Sequence, residues 1–150
     1  MTSSVTSAST EYQNLTFSQV EVGQKLPVLD IDVSTELVVA GAMASRDYQD
    51  VHHNKAGAQA LGQPDIFMNI LTTNGLVGRY VTDWTGPKAV LKKVNIKLGT
   101  PNYPGEVMKL SGKVAEKTEK DGQSLVEIVI AGKNSMGNHV TGTVLVALPQ

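Results

Sequence analysis

The sequence predicts an α+β domain in which an antiparallel sheet wraps around one central helix. Three observations carry this. Residues 66–84 place Ile66, Phe67, Ile70, Leu71, Asn74, Val77, Gly78, Val81 and Trp84 mostly three and four apart, the stripe of a helix with one buried face. Four later runs alternate apolar and polar residues, as half-buried strands do. Asp121-Gly122, between the second and third of those runs, is a strong hairpin signal. A strand, then helices, then a meander is the order of a sheet laid against helices.

At 150 residues and 41% hydrophobic content the chain suffices for one domain with a sizeable core. It has no Cys, so disulfides and thiolate metal ligation are excluded and no oxidising compartment is indicated. A net charge of -1 with scattered basic residues gives no footprint for nucleic acid or a membrane surface. No apolar run approaches the roughly 20 residues that span a bilayer, and the expectation is a soluble cytoplasmic protein. The Ser- and Thr-rich start lacks a signal peptide's apolar core. Residues 1–16 are expected to form a disordered tail ahead of a single domain at 17–150.

The elements follow in order. From Leu29 to Val33 apolar and acidic residues alternate behind Pro27, which predicts an edge strand with Leu29, Ile31 and Val33 on one face. Ser34 and Thr35 are good caps and Glu36 suits a first turn, so a short helix is predicted at 36–44, small enough at Ala40, Gly41 and Ala44 to lie close to a neighbour. Residues 45–53 have no period and read as a loop. Asn54 caps a second helix at 55–61, which Gly62 stops. The central helix spans 66–84, and close approach to a neighbour is expected to offset the helix-weakening Gly75 and Gly78. Strands are predicted at 90–98, 107–117, 124–131 and 140–148, with Gly137-Asn138 as the last turn and residues 100–105 as a longer connection.

Asp47 and His52 stand five apart on the loop, so neither is committed to a core face. A carboxylate and an imidazole converging on one water can hold it, deprotonate it and return a proton to carbon or oxygen. That suits adding water to an activated double bond. A capping carboxylate beside a solvated ring is the commoner use of such residues, so spacing alone does not select catalysis.

Ser45-Arg46-Asp47-Tyr48-Gln49-Asp50-Val51-His52 resembles the hydratase motif of the MaoC-like (R)-specific enoyl-CoA hydratases, which have a hotdog fold. Ala58, Gly62, Lys97-Leu98, Pro101, Pro104-Gly105-Glu106 and the closing strand at 144–149 extend the likeness over residues 26–149. The resemblance implies that Asp47 and His52 activate the water that adds across a 2-enoyl thioester. It implies that backbone N–H groups near the start of the central helix polarise the substrate carbonyl, and that Phe67, Met68 and Asn69 bind the substrate, without fixing which donors meet the carbonyl. Coenzyme A is then part of the substrate, with no separate cofactor and no metal. The runs 65–71 and 79–84 look most like the small subunits of bacterial steroid side-chain hydratases, which implies a bulky steroid-CoA substrate. The partner implied is a second hotdog subunit, in a homodimer or a hetero-oligomer with a related chain. Three positions depart from the family pattern: Arg46 replaces a Gly, Gln49-Asp50 an Asn-Pro, and Met68-Asn69 a His-Gly. The last leaves open an alternative, a non-catalytic acyl-thioester-binding subunit of a hetero-oligomeric hydratase.

Other candidates read as structural. His53 fits a neighbour of the motif, His139 a turn residue, and Asp50 a loop cap. Tyr80 and Trp84 at helical spacing fit the core. Lys92, Lys93 and Lys97 could meet CoA phosphates but fit a guarded strand edge.

Overall fold

The computed structural model describes residues 12–150, so most of the expected tail lies outside the described residues. The elements are β1 (Leu29–Asp32), α1 (Thr35–Ala44), α2 (Lys55–Ala60), α3 (Ile70–Thr85), β2 (Val90–Leu98), β3 (Val107–Lys120), β4 (Gln123–Asn134) and β5 (Gly137–Leu148). All five strands form one antiparallel sheet in the order β1-β3-β4-β5-β2. β1 is an edge strand, as its proline and charge pattern predict, and β2 is the other edge.

The sheet folds around α3. Val77 and Val81 of that helix are fully buried in one core with Met108, Leu110, Val114, Val126, Ile128, Ile130, Val144 and Val146, the inward positions of β3, β4 and β5. Each such side chain contributes about 1.5–3 kcal/mol by leaving water. Tyr80 joins them and its hydroxyl donates to the Pro27 carbonyl at 2.9 Å. Burial pushes that phenol up to about 12. The predicted hairpin is present, and its turn is of type I′: Asp121 and Gly122 both have positive φ, 52° and 71°.

Three expectations need correction. The central helix starts at Ile70, not Ile66, because the N–H groups of Phe67 and Met68 donate across the fold to the carbonyls of Val51 and Asn102 and hold that segment extended. The last hairpin turns at Ser135 and Met136, with Gly137 already in β5. Glu106 anchors that turn through the Ser135 N–H and hydroxyl, bonds that hold its carboxyl below the usual range. Finally, Asn14 and Leu15, assigned to the tail, are packed: Leu15 N–H donates to the Thr85 carbonyl and the Asn14 side chain accepts from Lys88 N–H, across the end of α3.

The glycine expectations divide. A Cβ on Gly41 would collide with the Thr72 side chain, so α1 does lie close to α3. Gly78 makes ordinary contact with Leu91, and Gly75 faces open space.

Candidate active site

Asp47 is placed by the end of α1. Arg46 N–H donates to the Met43 carbonyl at 3.1 Å and Asp47 N–H to the Ala42 carbonyl at 2.9 Å, the two bonds of a Schellman cap. Such a cap needs a left-handed residue, and Arg46 has φ 56°. That explains why a glycine suits this position: the geometry favours a residue without Cβ. The cap ends the helix and turns the Asp47 side chain toward the start of α3.

His52 closes a 3-10 turn, Asp50–His52, and is 7% exposed. Its Nδ1 lies 2.7 Å from the Phe67 carbonyl oxygen, which can only accept, so Nδ1 carries the proton and donates. The Phe67 ring packs edge-on to the imidazole with centroids 5.0 Å apart. This leaves the Nε2 lone pair facing Asp47 Oδ2 at 3.4 Å. Two acceptors at that separation cannot bond each other while the ring is neutral. They can share a donor, and a water is the smallest one that fits.

Asn69 caps α3 by accepting from Thr72 N–H, and its amide nitrogen donates to Asp47 Oδ2 at 3.1 Å and Ser45 Oγ at 2.9 Å. Three elements therefore meet at one point: the end of α1, the loop and the start of α3. Of the backbone donors at the three residues expected to bind the substrate, those of Phe67 and Met68 are already committed to the Val51 and Asn102 carbonyls. Asn69 N–H is not bonded among the described residues, and it opens the helix beside the unpaired first-turn amides. Phe67 serves the site differently from the expectation: its carbonyl and ring orient His52.

His53 reaches the Tyr48 carbonyl at 3.0 Å and lies 4.0 Å from Asp50, a neighbour of the site as expected. His139 is not a turn residue. In the β4–β5 register Gly132 faces Val140 and Lys133 faces Asn138, so His139 is the extra residue of a bulge. Alternation breaks there and both His139 and Val140 point inward, with His139 1% exposed. Its Nδ1 donates to the Thr100 carbonyl at 2.7 Å and its Nε2 accepts from the Thr73 hydroxyl at 2.8 Å. Burial lowers its pKa from the ordinary 6.5, against the opposing pull of the Thr100 bond. The sequence reading also missed Ser45 and the Asn69 side chain. The available signal for Asn69 was an Asn just ahead of a periodic apolar run.

Among the described residues no three His, Asp or Glu side chains converge to hold a metal ion. No helix among them is long and apolar enough to cross a membrane.

A helix-wrapping sheet that brings an Asp and a His to 3.4 Å defines a candidate hydro-lyase, and comparison with known proteins sharpens the class. No family model matches the chain. It is 44% identical over 123 residues to a 3-oxo-4,17-pregnadiene-20-carboxyl-CoA hydratase beta subunit of Mycobacterium tuberculosis, covering 82% of this chain and 92% of that one. A chain of the ChsH1-ChsH2 complex of Mycobacterium tuberculosis, also 44% identical, superposes with a TM-score of 0.79 over 85% of this chain and 98% of the other. The (R)-hydratase PhaJ1 of Pseudomonas aeruginosa, 21% identical, shares the fold with a TM-score of 0.82 over 91% of this chain and 87% of its own. The chain belongs to the MaoC-like hotdog hydratases. The resemblance to small subunits of steroid side-chain hydratases, expected from residues 65–71 and 79–84, holds as well.

Proposed function

We propose that this chain is the subunit of an enoyl-CoA hydratase that carries the acid/base pair, that its substrate is a steroid side-chain 2-enoyl-CoA, and that it works beside a related hotdog subunit. The observation that carries the reading is the 3.4 Å approach of Asp47 Oδ2 and His52 Nε2 with the imidazole tautomer set by Phe67. A water donating to both acceptors turns its lone pair outward, toward C3 of the enoyl thioester. As the O–C3 bond forms, the water's proton passes to Nε2 and the π electrons move through C2 onto the thioester oxygen. Asn69 N–H at the start of α3 stabilises that oxygen, a use of helix-end donors that costs no reorganisation. Collapse of the enolate with a proton returned to C2 by the dyad completes the 3-hydroxyacyl thioester.

Support for a partner lies beside the pair. Ile70 and Leu71, each 50% exposed, open α3 next to Asn69, and β2 presents a nine-residue edge with Val90 and Leu91 exposed. An unpaired edge of that length is a template for a second chain. Support for the steroid substrate is the mycobacterial relative, the beta subunit of a 3-oxo-4,17-pregnadiene-20-carboxyl-CoA hydratase.

The test is loss of the conjugated thioester absorbance with a short and a steroid enoyl-CoA. It is run for the chain alone and with a related hotdog subunit, as wild type, Asp47→Asn and His52→Ala. Each substitution is expected to lower kcat by about 10²–10⁴-fold. Full turnover by the complex in both variants would place the chemistry in the partner and make this chain a non-catalytic thioester-binding subunit.

A further inference from the structure

Asn69 stands where the family pattern has a glycine, so its amide is a device this chain adds to the pattern. It is 1% exposed and every polar atom of its side chain is engaged. Oδ1 accepts from Thr72 N–H at 2.9 Å, and Nδ2 donates to Asp47 Oδ2 and to Ser45 Oγ, which in turn donates to the Gly41 carbonyl at 2.7 Å. The oxygen it takes is the one facing His52. The other carboxylate oxygen has only the Gln49 N–H, at 3.5 Å, the outer limit of a hydrogen bond. Among the described residues Asn69 is thus the one well-formed side-chain donor that determines how the Asp47 carboxylate lies.

We propose that Asn69 is a positioning residue: its amide holds Asp47 at water-bridging distance and keeps the carboxylate from closing onto His52 as a direct ion pair. The inference rests on the dyad reading above and concerns how the dyad is kept open. A direct pair would stabilise imidazolium, remove the Nε2 lone pair and expel the water. The amide opposes this in two ways. It occupies part of the Oδ2 lone-pair space, and it spreads the negative charge of the carboxylate onto a fixed donor. Because the same amide also caps α3, the helix whose first N–H groups face the substrate carbonyl is tied to the residue that holds the water.

The test separates positioning from capping. Asn69→Ser keeps a cap of equal quality but is too short to reach Asp47, and Asn69→Gly restores the residue of the family pattern. Both are assayed in the full chain with its partner subunit, alongside Asp47→Asn, and the His52 ring is titrated by NMR in the chain itself. The expected result for Asn69→Ser is kcat lower by about 10-fold or more with KM within about twofold, since the reacting groups are misplaced rather than the substrate. The acid limb of the pH profile and the His52 midpoint both move to higher pH. A mere helix cap predicts wild-type kcat and an unmoved midpoint in Asn69→Ser, and that result overturns the proposal. The two readings fail separately. Wild-type turnover in Asp47→Asn removes the dyad mechanism, while the His52 midpoint in Asn69→Ser still decides whether the amide holds the carboxylate off the ring.

Discussion

Two histidines in this protein are held in the same way and end differently. His52 and His139 each donate Nδ1–H to a backbone carbonyl at 2.7 Å, Phe67 in one case and Thr100 in the other. That bond fixes the same tautomer in both and leaves Nε2 as an acceptor. In His139 the acceptor is met by the Thr73 hydroxyl inside the core, so the ring is finished as a structural piece. In His52 it faces a carboxylate that cannot donate to it. The same side chain, oriented by the same device, is satisfied or left with an open lone pair according to what meets its second nitrogen.

The sharpest way to break that comparison is to remove each ring. His52→Ala is expected to cost about 10²–10⁴-fold in hydration, with a smaller loss of stability, about 1–3 kcal/mol, from the Phe67 carbonyl left without its donor. His139→Ala is expected to cost about 2–4 kcal/mol of folding free energy, from a cavity and from the Thr100 carbonyl left without its donor. Urea unfolding and the thioester assay on both variants check the pair. If His139→Ala unfolds like wild type, the buried ring is not the structural piece described here.

A second prediction uses pH. Burial lowers the His139 pKa below its ordinary 6.5, so the unfolded chain takes up the proton more readily than the folded one. The ring's contribution is therefore complete above about pH 6.5 and is lost as pH falls from there toward the folded-state value. The slope is at most about 1.4 kcal/mol per pH unit. Denaturation at several pH values, for wild type and His139→Gln, should show a stability loss on acidification that is shallower in the variant. An equal slope in both would assign the loss to other groups.

The smallest effect concerns the loop that carries Asp47. Arg46→Gly relieves a left-handed non-glycine residue, about 1–2 kcal/mol, and adds unfolded-state entropy that offsets about 0.5–1 of it. The net expectation is a stabilisation of up to about 1.5 kcal/mol with hydration retained, read by thermal unfolding and the same assay. Arg46→Val, β-branched at positive φ, should move stability the other way.

The fold was largely legible because its signals are local. Alternation in β2 to β5, the Asp121-Gly122 turn and the caps at Ser34 and Asn54 each report on a few adjacent residues, and each element formed where its pattern lies. The misreadings came where bonds arrive from elsewhere in the chain. Ile66 and Phe67 fit helical spacing, yet the carbonyls of Val51 and Asn102 hold the segment extended. His139 was misplaced by a one-residue bulge, which shifts a side chain to the opposite face without altering the local composition.

The sequence by itself determined the sheet, the central helix, the loop with Asp47 and His52 on it, and the family resemblance that gives the pair a meaning. Those rest on side-chain period, turn chemistry and motif spacing, which act over a few residues. Only the tertiary structure decided which nitrogen of His52 is free, which backbone donor at the start of α3 remains open, and that Asn69 grips Asp47. Each of these depends on a hydrogen-bond partner 15 or more positions away, Phe67 for His52 and Asp47 for Asn69. A residue's chemistry here is set by the group that occupies its last lone pair or proton, and folding brings that group from a distant part of the chain.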